Sequence, residues 1–207
     1  QRGYIAHSIK IGGDVARDIE RIRDVEALKA PGDTMLYDIN RGWTRQQALR
    51  VMSAVEDLNV MIEQPCETLD DIAAIAHKHA SPVSVDESLV TLQDATRIAR
   101  DGIAEVFGIK LNRVGGLTKA ARIRDVAVAH GIDMFVMATG GSVLADAEAL
   151  HLAATVPDEM CYAVWACQDM LTLDIASGRG PRNQAGHLHL PEAAGLGVHP
   201  DENALGD

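Results

Sequence analysis

Short apolar runs alternate with helix-like segments about seven times along these 207 residues. Successive runs lie roughly 22–28 residues apart, the length of one strand plus one crossover helix, so the chain predicts a parallel α/β sheet. The runs sit in HSIK, TMLYD, VMIE, PVSVD, EVFGIK, IDMFVM and CYAVW. Between the first two, Val15, Ile19, Ile22, Val25 and Leu28 recur at steps of three and four, an amphipathic helix with Asp14 placed to cap it. Pro31-Gly32 breaks that helix. Thr44 caps a helix expected to run to about Leu58, with Ala48, Leu49, Met52 and Val55 inward, and Thr68 caps one to about His79. Further helices are expected from Leu92 to Arg100, from Thr118 to His130 and, capped by Ser142, through Ala154.

The strand ends decide between the two common parallel architectures. Five successive runs close on a charged residue: Lys10, Asp38, Glu63, Asp86 and Lys110. A closed barrel gathers every strand end around one mouth, whereas an open doubly wound sheet gathers only those at its switch point. The expected fold is therefore a TIM-type (β/α)7β barrel over residues 1–177. Residues 178–207, rich in Gly, Pro and His, read as loops and a tail. His187 and His189 in HLHL are expected on alternate positions of a strand. Seven units stand where a full barrel has eight, and the sequence starts at Gln1. The expectation is the C-terminal part of a longer protein, lacking its first strand.

Composition removes several classes of partner. A formal net charge of −11 leaves no basic patch for phosphates, so neither nucleic acid nor an anionic membrane is expected. No apolar run reaches the length of a membrane span. The three cysteines form no C-x-x-C pair, which fits a reducing, cytoplasmic setting. With hydrophobic residues at 47% and aromatics at 3%, the core must be built from Ala, Val, Ile, Leu and Met.

Three carboxylates on consecutive strands, Asp38, Glu63 and Asp86, make a hard-oxygen set suited to Mg²⁺. In an eight-stranded barrel whose second strand carries Lys10, the strand of Lys110 is the sixth, and the two lysines face each other across the mouth. That arrangement suits removal of a proton from the carbon next to a carboxylate. The enediolate needs positive charge on its oxygens, which Mg²⁺ supplies. A lysine must be neutral to act as base, and a metal and a second ammonium nearby favour that form. His7 reads as structural. Cys66 reads as lining the mouth or as a half-buried inert thiol. Gly140-Gly141 either approaches a ligand carboxylate, with Ser142 donating, or simply turns the chain into a helix.

At these positions the chain resembles the enolase superfamily, in its mandelate racemase/muconate-lactonizing-enzyme subgroup. The matching stretches are SIKIGGD around Lys10, DINRGW with Asp38, Asn40 and Trp43, IEQP with Glu63, VDES with Asp86, IKLNRVGGLTKA with Lys110 and Asn112, and the tail LPEAAGLGVHPDE. The resemblance implies that Asp38, Glu63 and Asp86 bind Mg²⁺ and that Lys10 and Lys110 are the acid/base pair. It implies supporting or substrate-side roles for Ser8, Asn40, Glu87, Asn112, Thr139 and Gly140. It also implies an N-terminal α+β capping domain, absent here, against which the tail would pack, and a homo-oligomer acting on a small carboxylate. The subgroup usually carries K-x-K on the second strand, and here the first position is Ser8. Losing that cation favours the protonated form of Lys10, the acid, and leaves Lys110 as base. The asymmetry fits a dehydratase, and a lone lysine resembles the branch that dehydrates cis-3-hydroxy-L-proline to Δ1-pyrroline-2-carboxylate. The alternatives are an epimerase or racemase of proline betaines or N-modified amino acids, and a non-catalytic relic.

Overall fold

Helix capping sets much of the local structure. In this computed structural model, which describes residues 3–138, 140–176 and 179–205, Asp14 accepts the N–H of Arg17 and starts α1 (Val15–Leu28). Thr44 and Gln47 form a reciprocal capping box on α2 (Arg45–Ala54). Thr68 accepts from Asp71 at the start of α3 (Leu69–Ala76), and Thr91 and Asp94 form a second capping box on α4 (Leu92–Asp101). Each such cap satisfies backbone donors that have no partner inside the helix and is worth about 1 kcal/mol. α2 and α3 stop earlier than the sequence pattern suggests, at Ala54 and Ala76. Past Ala54 the apolar pattern continues through Val55 and Leu58 although the backbone has left the helix; past Ala76 come the polar His77, Lys78 and His79. On α2 it is Val51, rather than Leu49, that is buried with Ala48, Met52 and Val55.

The strands are β1 (Ala6–Lys10), β2 (Thr34–Asp38), β3 (Met61–Glu63), β4 (Val83–Val85), β5 (Val106–Lys110), β6 (Asp133–Met137) and β7 (Cys161–Trp165). Among the described residues the sheet has these seven strands, ordered as in the chain. The chain separates into two compact units, one of them Ile5–Phe107 and the other made of the residues up to Tyr4 together with those from Gly108 onward.

In the first unit, β1 pairs with β2, β2 with β3, β3 with β4 and β4 with β5, all parallel. α1 lies against β2 through Tyr37, whose hydroxyl donates to Glu26 Oε1 at 3.0 Å and lies 3.4 Å from the Ile22 carbonyl oxygen. The core is aliphatic, as the composition requires: Ile22, Val51, Met52, Ile62, Ile72, Ile75, Val83, Val85 and Ile98 are all fully buried. In the second unit, β6 pairs parallel with β7. A short helical turn, α5 (Leu111–Val114), follows β5 directly where the sequence pattern shows only a loop; α6 (Leu117–His130) then starts after Gly116, and α7 (Val143–Ala153) after the Ser142 cap. Phe135 stacks on Tyr162 with ring centres 5.3 Å apart. Part of the tail packs on α7, where Val143, Ala147, Ala176 and Val198 form one apolar cluster. The tail holds a last helical turn, α8 (Glu202–Leu205). His187 and His189 do not stand on a strand. Only an isolated bridge joins Gln184 to His187 across a two-residue turn, because the run is too short and too broken by Gly186 to pair further.

Candidate active site

The sheet register puts three of the charged strand ends, Lys10, Asp38 and Glu63, level with one another. Lys10 pairs with Asp38, and Asp38 pairs with Glu63. Glu63 pairs with Ser84, and Asp86 lies two residues beyond Ser84, hence on the same face. All four groups belong to the first unit. The three carboxylates are almost wholly buried, with exposures of 2% for Asp38 and Glu63 and 0% for Asp86.

Beyond β2 the chain turns through Asn40 and Arg41, both with left-handed backbone (φ +45° and +69°). Asn tolerates that region because its short side chain bonds locally; here the Asn40 N–H donates to Asp38 Oδ1 at 2.9 Å. The turn aims the Asn40 amide back over the strand ends. Lys10 Nζ donates to Asp38 Oδ2 and, at 2.9 Å, to Asn40 Oδ1, and Asn40 Nδ2 donates to Glu87 Oε1 at 3.1 Å. Lys10, Asp38, Asn40 and Glu87 thus form one continuous polar chain. Ser8 shares the Lys10 face of β1, two residues earlier, opposite Leu36.

Two interactions outside the sequence reading hold this edge together. Asp18, buried in the first turn of α1, accepts Trp43 Nε1–H at 2.8 Å and the Gly12 N–H at 3.1 Å. It therefore joins the loop after Lys10 to the loop after Asp38. Those loops touch backbone to backbone: a Cβ at Gly42 would lie 2.5 Å from the Gly12 carbonyl oxygen. The second interaction is made by Gln64, fully buried, whose side-chain oxygen accepts the N–H groups of both Asp86 and Ser88. A buried acid on an exposed-looking polar helix turn, and a glutamine beside a strand-end glutamate, gave no pattern signal by which either could have been singled out.

The remaining expected site residues lie in the second unit or outside the description. Lys110 closes β5, half-buried, and Asn112 is exposed on α5. Thr139 lies outside the described residues. Gly140 is exposed, with φ +53°, and its N–H is already engaged by the Ala138 carbonyl at 3.0 Å and Cys167 Sγ at 3.3 Å. Ser142 Oγ accepts from Leu144 N–H as a helix cap. Close by, buried Asp146 accepts the N–H groups of Cys167 and Gln168, each at 2.8 Å, and burial raises its carboxyl above the usual carboxylate range. His7 lies 3.4 Å from Asp33, a structural pairing. Cys66 is fully buried rather than half-buried, and desolvation pushes its thiol up to about 11, so it stays protonated and inert.

Burying a carboxylate costs several kcal/mol unless an opposite charge compensates it. Three at one sheet edge, all oxygen donors, match the ligand preference of a hard divalent cation. Among the described residues, no three His, Cys, Asp or Glu side chains are gathered closely enough to hold a metal ion as they stand; the Lys10 ammonium lies against Asp38 instead. The donor set fits Mg²⁺ in chemistry.

The family described as Enolase C-terminal domain-like matches residues 1–204. A cis-3-hydroxy-L-proline dehydratase of Roseibium aggregatum is 35% identical over 205 residues, covering 99% of this chain and 56% of that protein. A protein of Silicibacter pomeroyi, assigned to the mandelate racemase/muconate lactonizing enzymes, superposes with a TM-score of 0.98 at 80% identity, covering 100% of this chain and 57% of its own. An enolase superfamily member from Roseovarius nubinhibens ISM, solved in complex with magnesium, gives a TM-score of 0.96 at 43% identity and 56% of its length. The chain thus spans a little over half the length of the relatives it matches. It belongs to the Enolase C-terminal domain-like family of the enolase superfamily, with the TIM-type α/β barrel of the mandelate racemase/muconate lactonizing enzymes.

Proposed function

We propose that this chain carries the catalytic barrel of a lyase that removes the α-proton of a small carboxylate and expels water, with cis-3-hydroxy-L-proline as substrate. The observation that carries the reading is the setting of Lys10, whose side chain donates to both Asp38 and Asn40. Two acceptors hold the Lys10 side chain in one place at the strand ends, as a positioned proton donor requires. Likeness to a dehydratase over nearly the whole chain supports the same choice.

Asp38, Glu63 and Asp86 would hold Mg²⁺, which when bound supplies positive charge toward the substrate carboxylate. Lys110 acts as base. It takes the α-hydrogen as a proton, and the C–H electron pair moves into the carboxylate as an enediolate. Lys10 gives its proton to the 3-hydroxyl as the C–O bond breaks, so water leaves. The enamine left behind tautomerises to Δ1-pyrroline-2-carboxylate. A hydroxyl cis to the carboxylate lies on the ring face opposite the α-hydrogen, so base and acid on opposite faces suit an anti elimination. Asn40 and Glu87 orient Lys10 through the polar chain described above. Ser8, Asn112, Thr139 and Gly140 are assigned to the substrate side, and segment 178–207 to contact with a capping domain.

The test uses the full-length protein with Mg²⁺ and cis-3-hydroxy-L-proline. Lys110→Ala and Lys10→Ala should each lower kcat by about 10²–10⁴-fold, the usual worth of a positioned acid or base. Turnover left intact in Lys110→Ala would remove the assigned base.

A further inference from the structure

We propose that Gln64 is the positioning residue that fixes the three carboxylate-bearing loops relative to one another. The inference depends on the reading of Asp38, Glu63 and Asp86 as Mg²⁺ ligands, and it concerns a residue whose side-chain amide is engaged by protein groups.

Gln64 follows Glu63 directly and is completely buried. Its backbone is left-handed, with φ +41°, a conformation that a glutamine rarely adopts. Such a conformation persists only where surrounding contacts impose it, and it is concentrated at functional sites. Here the contacts reach both neighbouring strand ends. The Gln64 carbonyl accepts the Arg41 N–H at 2.9 Å, which pins the turn after Asp38. The Gln64 N–H donates to the Ser84 carbonyl at 2.8 Å.

The side chain completes the clamp. Oε1 accepts the N–H groups of Asp86 and Ser88, both at 3.1 Å. Nε2 donates to Ser88 Oγ at 2.7 Å and to the Cys66 carbonyl at 3.1 Å. A primary amide offers two acceptor sites and two donors, and all four are used. A carboxylate cannot donate and an apolar side chain can do neither, so only an amide meets this demand. The left-handed turn has a specific consequence: it sends the Gln64 side chain along the sheet toward the Asp86 loop while Glu63 keeps its place in the strand register. One residue thereby sets Asp38 from its carbonyl, Glu63 through the chain and Asp86 from its amide. Groups that orient metal ligands without touching the metal typically change metal affinity 10–100-fold when removed.

The experiment is isothermal titration of the full-length protein with MgCl₂ alone, so no turnover is needed. Gln64→Met keeps the volume and removes every side-chain hydrogen bond. Gln64→Gly removes the side chain and also relieves the left-handed strain, so it remains a test if the Met variant fails to fold. Ile75→Ala, a buried change on α3, is the control that lowers stability without touching these loops. Asp86→Asn tests the metal reading itself. The expected result is Mg²⁺ binding weakened at least about tenfold in both Gln64 variants and unchanged in Ile75→Ala. Binding within twofold of wild type in the folded Gln64 variants, with Asp86→Asn impaired, overturns the role of Gln64 and leaves the metal reading intact. Binding that Asp86→Asn does not weaken overturns the metal reading, and the inference with it. Unfolding of both Gln64 variants also overturns it, since Gln64 would then belong to the fold rather than to the site.

Discussion

Removing the Asp18 carboxylate should loosen the edge that carries Lys10. Asp18 is buried and accepts two hydrogen bonds, from Trp43 Nε1 at 2.8 Å and from Gly12 N at 3.1 Å. A hydrogen bond to a charged group is worth about 1.5–3 kcal/mol, and a buried donor left without an acceptor loses its hydration as well. The 3.1 Å bond belongs at the low end of that range and the 2.8 Å bond nearer the middle. Asp18→Ala should therefore cost about 3–4 kcal/mol, a large fraction of the stability of an ordinary domain. Asp18→Asn keeps one acceptor but turns an NH₂ toward the other donor, so about 2 kcal/mol is expected. Trp43→Phe removes one donor only, and combined with Asp18→Ala it should show a coupling of about 1.5–2 kcal/mol. The assay is urea unfolding followed by far-ultraviolet circular dichroism, a readout that the Trp43→Phe variants leave in place. A loss below about 0.5 kcal/mol for Asp18→Ala, or no coupling with Trp43→Phe, would refute the claim that this carboxylate pins the two loops.

Cys66 should resist a thiol reagent at pH 8 in the folded protein, because burial holds its thiol up at about 11, and it should become reactive only as fast as the protein unfolds. Burial, and then the bond to Glu26, raise Tyr37 above the ordinary tyrosine value. For an acid raised on folding, the stabilisation is complete below the unfolded value of about 10 and is lost as pH climbs toward the folded one. Stability should thus fall above pH ~10 more steeply in wild type than in Tyr37→Phe, as urea midpoints across that range will show. Asp38→Asn should lower both Mg²⁺ affinity and turnover, whereas Asp33→Asn, which affects only His7, should leave Mg²⁺ titrations unchanged.

The sheet was legible because its strands are short, apolar and evenly spaced. α1 and most caps were legible because Asp14, Thr44, Thr68 and Ser142 each stand just before a periodic apolar segment. The charged strand ends were legible for the same reason: a carboxylate closing an apolar run breaks the pattern visibly. Helix ends were harder. Past Ala54 the apolar Val55 and Leu58 still lie inward, so periodicity persists where the backbone has already turned. α5 escaped notice because a four-residue turn is too short to show a period. Asp18 and Gln64 escaped for a deeper reason. Asp18 sits among the charged residues of α1, where an acid near the N-terminus is ordinary, and only the fold brings Trp43 and Gly12 to it. The importance of Gln64 lies in its left-handed φ and in partners 20 or more residues away, neither of which residue type reveals. No helix among the described residues is long and apolar enough to cross a membrane, in line with the hydropathy of the chain.

The most direct test of the central claim is proton NMR of the full-length protein with Mg²⁺ and cis-3-hydroxy-L-proline in D₂O. Loss of the substrate signals with growth of those of Δ1-pyrroline-2-carboxylate, and none of either in Lys110→Ala, is the predicted result. Deuterium entering the α position while the hydroxyl is retained would contradict the dehydration and indicate an epimerase. No change in any signal would contradict hydroxyproline as the substrate.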